Sequence, residues 1–99
     1  GIPPWLTDSS VRAMKSQKNM TTLVVAGQEL LTDAGVTDLV QSCPSLTNLD
    51  LSYTSVSDAG IATLCNLKHL HILEIYGLTV SKQVLAVLRK SIPNIQISE

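Results

Sequence analysis

Apolar positions recur along this chain in two interleaved rhythms. The first is the spacing L-x-x-L-x-L, met as Leu46, Leu49 and Leu51 and again as Leu70, Leu73 and Ile75. Met20, Leu23 and Val25 repeat it with substitutions, and Pro93-Asn94-Ile95-Gln96-Ile97 begins a further copy. Within it, residues 23–25, 49–51 and 73–75 alternate apolar with other side chains, which predicts short strands. The second rhythm is a hexapeptide. Leu31-Thr32-Asp33-Ala34-Gly35-Val36 returns 25 residues later as Val56-Ser57-Asp58-Ala59-Gly60-Ile61. A fainter copy runs from Val80 to Leu85, and another stands upstream from Leu6 to Val11. Four hits at nearly one spacing mark an internal repeat.

The hexapeptide predicts helix starts at Thr7, Thr32, Ser57 and Ser81, each a hydroxyl residue suited to capping the first turn. Asp8, Asp33 and Asp58 follow, where negative charge suits the helix dipole. Four residues beyond each cap stand Val11, Val36, Ile61 and Leu85, and seven beyond stand Met14, Leu39, Leu64 and Leu88. Those offsets describe one buried helical stripe. Pro44 and Pro93 follow helix ends, and Gly35 and Gly60 are expected to allow close packing between units. A single domain over 1–99 is expected. It divides into an N-terminal helix or partial repeat (1–19), repeats at 20–45, 46–69 and 70–94, and a truncated last strand at 95–99. A three-residue strand with its helix cannot bury its apolar face alone, so neighbouring units must supply the other wall.

These residues resemble the cysteine-containing subclass of the leucine-rich-repeat family, as in the repeats of F-box leucine-rich-repeat proteins. The match is fullest in LTDAGVTDLVQSCPSLTNLDL, from Leu31 to Leu51, with Cys43-Pro44 in the family's Cys-Pro place. Thr54 and Leu78 stand where the family often has Cys or Asn, and Leu67 and Ile92 replace Cys43 in later units. The resemblance implies an α/β fold: a right-handed leucine-rich-repeat solenoid with a short parallel sheet on the concave face and helices on the convex face. It also implies a protein–protein interaction module, with the substrate-recognition part of an F-box-type ubiquitin ligase as the narrower reading. No F-box is visible, since the first twenty residues hold one helix rather than three.

Composition narrows the function. The chain has 99 residues and a formal net charge of -1, with no Phe and one Trp. Near-neutral charge gives no long-range attraction to nucleic acid or anionic lipid. No apolar run approaches a membrane span, and Gly1 to Trp5 lacks the pattern of a signal peptide. A cytoplasmic or nuclear place is therefore expected, with Cys43 and Cys65 as reduced thiols packed like small hydrophobes. His69 and His71 flank Leu70 as polar residues entering the third strand. No triad, phosphate loop or metal-ligand spacing appears, so no enzymatic activity, metal or cofactor is expected.

The candidate site is the outward face of the sheet. Its expected rows are Thr22, Asn48, Ile72; Val24, Asp50, Glu74; and Ala26, Ser52, Tyr76. Asn48, Asp50, Ser52, Tyr53, Ile72, Glu74 and Tyr76 are the candidate partner-binding residues. Asp50 and Glu74 are expected side by side as like charges. Two readings stay open: the face receives a basic segment of a partner protein beside an aromatic contact, or its acids merely keep the sheet soluble. Trp5 is either a lid over the first unit or a partner anchor. The alternative role is a structural or assembly subunit of a larger complex, packed permanently on a partner chain.

Overall fold

Each strand is three residues long and turns only its middle side chain inward, so the interior is assembled one leucine at a time. The computed structural model describes residues 19–99. Its elements are β1 (Thr22–Val24), α1 (Asp33–Ser42), β2 (Asn48–Asp50), α2 (Asp58–Thr63), a 3-10 turn (Leu64–Asn66), β3 (Ile72–Glu74), α3 (Lys82–Ser91) and β4 (Gln96–Ser98). The strands lie one residue earlier than the alternation suggests, and the second helix is shorter than its neighbours. The expected N-terminal helix and Trp5 lie outside the described residues.

The four strands pair in parallel, in the order β1-β2-β3-β4. Leu23 aligns with Leu49, Leu49 with Leu73, and Leu73 with Ile97. Leu23, Leu49 and Leu73 are buried, as are Val25, Leu51 and Ile75 beyond the strand ends. Backbone bonds carry the same alignment into the flanking loops. The N–H groups of Val25, Leu51 and Ile75 donate to the carbonyls of Asp50, Glu74 and Ser98 at 2.8–2.9 Å. The helices meet this sheet with Val36 and Leu39, Ile61 and Leu64, and Leu85 and Leu88. Cys43, Leu67 and Ile92, the residues closing the three helical segments, are buried too, so a thiol and two aliphatic groups fill comparable places. Burial pushes the Cys43 thiol up in pKa, and the group packs as an apolar one.

The solenoid expectation is corrected here. The described residues form a small compact α/β domain of four parallel strands and three α-helices, with extents of 31 × 27 × 19 Å. The radius of gyration is 12.0 Å, close to the ~12 Å of a compact domain of this size. Too few layers are present to make an arc: at about 4.8 Å between strands, the sheet is narrower than the molecule is long. Its buried apolar residues join in a single core. A leucine-rich-repeat solenoid with concave and convex faces, and the description as a repeat protein, give way to this compact domain.

The helix starts differ in detail from expectation. Thr32, Ser57 and Ser81 all occupy the cap position in extended backbone. Only Ser81 is turned back on its own helix, accepting the Val84 N–H at 3.1 Å. The aspartates tie one unit to the next instead. Asp33 Oδ1 accepts the Ser57 N–H at 2.7 Å, and Asp33 Oδ2 accepts the Ser57 hydroxyl. Asp58 Oδ1 accepts the Ser81 N–H at 2.8 Å. Desolvation pushes the Asp33 carboxyl up, but the bonds from Ser57 and the Gly60 backbone outweigh it, and its pKa is lowered. The bonds it accepts therefore stabilise the fold at neutral pH and are lost as pH falls through that lowered value.

Gly60 makes room for this link. A Cβ there would stand 2.5 Å from Asp33 Oδ1 and 2.7 Å from Val56 Cγ1. Gly60→Ala is expected to destabilise the domain by about 1–3 kcal/mol through overpacking, despite alanine's better helix propensity. Urea unfolding of the variant beside the parent checks this, and an unchanged or raised midpoint would contradict it.

Candidate functional site

The same pairing that directs leucines inward sets two rows of side chains on the opposite face of the sheet. One row is Thr22, Asn48, Ile72 and Gln96, and the other is Val24, Asp50, Glu74 and Ser98. Val24 is 49% exposed, and Asn48, Asp50, Ile72 and Glu74 are half-buried. A shallow depression of ≈ 110 Å³ lies on this face, lined by Thr22–Val24, Asn48–Asp50, Ile72 and Glu74. Pockets for small-molecule ligands usually hold about 300–1,000 Å³. This one has room for a side chain rather than a metabolite.

Asp50 and Glu74 are paired residues on adjacent strands. The neighbouring Asp50 carboxyl, through side-chain hydrogen bonding and then its charge, raises the Glu74 pKa above its ordinary value. Asp50 is also held from behind, because its Oδ1 accepts the Ser52 N–H at 2.9 Å. The two acids are thus positioned by backbone pairing and a local turn. Among the described residues, the basic side chains lie elsewhere: Lys68 on the turn before β3, and Lys82, Arg89 and Lys90 on α3.

The rim beyond the strands is aromatic. Tyr76 continues the outward alternation from Glu74 and is 44% exposed. Tyr53 is 63% exposed and has φ 57, a left-handed backbone. Gly27 and Gly77, three residues past their strands just as Tyr53 is, have φ 82 and 76. Glycine adopts this conformation freely, whereas another residue costs about 1 kcal/mol or more. The Tyr53 ring lies against Gly77, where a Cβ would collide with ring carbons Cδ1 and Cε1. The turn after β2 therefore carries an aromatic ring at a backbone cost that the neighbouring turns avoid.

Of the expected site residues, Asn48, Asp50, Ile72 and Glu74 come together on the open face, with Tyr53 and Tyr76 at its rim. Ser52 is a correction. It is buried, and its hydroxyl oxygen accepts the Tyr76 N–H at 2.9 Å, so it braces the rim and presents nothing to a partner. The fourth strand adds Gln96 and Ser98, which the sequence reading had not carried into the site. The alternation Ile95-Gln96-Ile97-Ser98 was their signal. Val24, placed in a row but not counted among the binding residues, is the most exposed apolar side chain of the face. His69 and His71 are exposed on and beside the approach to β3. No group of three or more His, Cys, Asp or Glu residues is placed to hold a metal among the described residues.

No protein-family model matches the chain, and no curated protein matches it. One solved structure with a similar fold is described as Chaetomium Mex67:Mtr2 subunits. The matched chain has a TM-score of 0.65 and 23% identity, over 80% of this chain and 53% of that one. This chain thus spans about half the length of the solved one. The likeness is one of fold, that of a small α/β domain, and does not bear on a leucine-rich-repeat family. Among the described residues, no helix is long and apolar enough to cross a membrane.

The carboxyl pair makes a prediction about pH. Because the Glu74 pKa is higher in the folded chain than in the unfolded one, its contribution to stability is fully present below the ordinary carboxyl pKa. It is lost as pH rises through the raised value. Glu74→Gln removes the repulsion from Asp50. Its melting temperature is expected to exceed the parent's at pH 7, and the gain should vanish on acidification below pH ~4. Thermal unfolding across that pH range would read the effect, and a constant difference would contradict the raised Glu74 pKa.

Proposed function

We propose that this domain is a partner-binding subunit, or part of one, in a larger protein assembly, and that it docks through the open face of its sheet. The observation that carries the reading is the composition of that face. Val24, Ile72, Tyr53 and Tyr76 offer apolar and aromatic surface beside two acids, while the helices cover the other side. Tyrosines with adjacent apolar groups are common anchors in protein interfaces. The fold likeness lends support, since the similar solved chain belongs to a structure of Mex67:Mtr2 subunits. A lasting place in a complex is thus favoured over a transient recognition module. The narrower expectation of a ubiquitin-ligase substrate receptor rested on the family resemblance alone, and the geometry of the face adds nothing to it. The proposed role is binding without chemistry.

Site-directed crosslinking tests this in the cells that produce the protein. A photoreactive residue at position 72, on the open face, is expected to give one discrete adduct with a partner chain. The same residue at position 86, exposed on α3, is expected to give none. Equal adducts from both places, or none from position 72, would overturn the proposal.

A further inference from the structure

We infer that the open face recognises an arginine side chain on the partner, with the guanidinium group at Asp50 and Glu74 beside Tyr76 and the aliphatic stem lying on Val24 and Ile72. The inference rests on the docking role proposed above and specifies its chemistry.

Charge complementarity is the first argument. Two carboxyls are fixed on paired positions of adjacent strands, and the described basic residues lie away from that face. In isolation the two carboxyls are like groups held on neighbouring strands, which is unfavourable. A cation placed between them offsets that repulsion and satisfies both groups. Shape is the second argument. The depression of ≈ 110 Å³ is bounded by apolar Val24 and Ile72 and by the acids, so a side chain with an apolar stem and a cationic head suits it. Its size suits a single inserted side chain, and the acids beside it favour one with a cationic head.

The choice of arginine over lysine follows from geometry. A guanidinium is a planar fork with five donors, able to bond two carboxylates at once and to stack on an aromatic face. Lysine offers a compact, strongly hydrated charge. Tyr76 shares the outward face with Glu74 two residues away, and its backbone is pinned by the Ser52 hydroxyl. A planar cation bound to Glu74 can therefore lie against that ring, an arrangement that adds to the ion pair. Tyr53, beside it at the rim, extends the aromatic border.

The test uses a defined probe, the blocked peptide acetyl-Gly-Gly-Arg-Gly-Gly-amide, titrated into the isotope-labelled full chain at neutral pH and low salt. Its lysine and citrulline counterparts serve as comparisons. Amide shifts are expected at Asp50, Glu74 and Tyr76, saturating in the millimolar range expected of a single exposed side chain. The citrulline peptide should cause none, and the lysine peptide should bind more weakly. Asp50→Asn with Glu74→Gln should weaken arginine binding by about tenfold or more. Tyr76→Leu should weaken it by about two- to fivefold, the scale of an exposed cation–π contact. Absence of shifts at those residues, equal binding of lysine, or equal effects from citrulline would overturn the assignment. Crosslinking from position 72 that persists when the arginine peptide fails would leave the docking role standing and remove the arginine alone.

Discussion

Parallel pairing between strands only three residues long is the constraint on which the rest of this structure depends. A strand of that length hides one side chain, and a helix of ten residues hides two or three. Neither can offset the conformational entropy of ordering its unit. Stability comes from alignment: Leu23, Leu49, Leu73 and Ile97 stand in one row, Val25, Leu51 and Ile75 in the next, and the helical stripes close over both. A slip of one residue in any strand would turn its leucine outward and its polar neighbours inward. The aspartate links at the helix starts tie the other edge of the layer, joining Asp33 to Ser57 and Asp58 to Ser81. Lys82 stands in the corresponding place of α3, so the chain of links ends with the last helix.

The surface follows from the same alignment. Because the pairing is fixed by what lies beneath, the outer face has no freedom to separate Asp50 from Glu74. The cost is a pair of like groups held side by side, and the Glu74 pKa is raised by its neighbour. A domain stabilised only for itself would gain from a neutral residue at either place. The presence of both acids beside exposed aromatic side chains, one of them in a backbone conformation suited to glycine, is the physical basis for reading this face as a docking surface.

Much of the local structure was legible because two periods, two residues and about 3.6, are written in different stretches of the chain. The inward leucines, the helix starts and the outward neighbours of Asp50 could all be read from them. The overall shape was not, since a motif that recurs only a few times describes a unit and its neighbour without fixing how far the pattern extends. Ser52 was misplaced for a related reason. Alternation puts it outward, but the chain turns after β2, and its hydroxyl is drawn in to accept the Tyr76 N–H. The roles of Asp33 and Ser57 were misread because a cap residue beside an acid looks like a local arrangement. The bond runs across 24 residues. Tyr53 was expected at the rim, but its left-handed backbone becomes legible only by aligning the turns, where it stands opposite Gly27 and Gly77.

The central claim is that the units share one core and cannot unfold separately. Native-state hydrogen exchange in Leu49→Ala tests it most directly. Removing this buried side chain from β2 should cost about 2–5 kcal/mol. If the core is shared, the amides of Val25, bonded to Asp50, and of Ile75, bonded to Ser98 beyond β3, should lose protection by that same amount, in step with global stability. Loss of protection confined to β2 and its own loops, with Ile75 still protected as in the parent, would contradict the account.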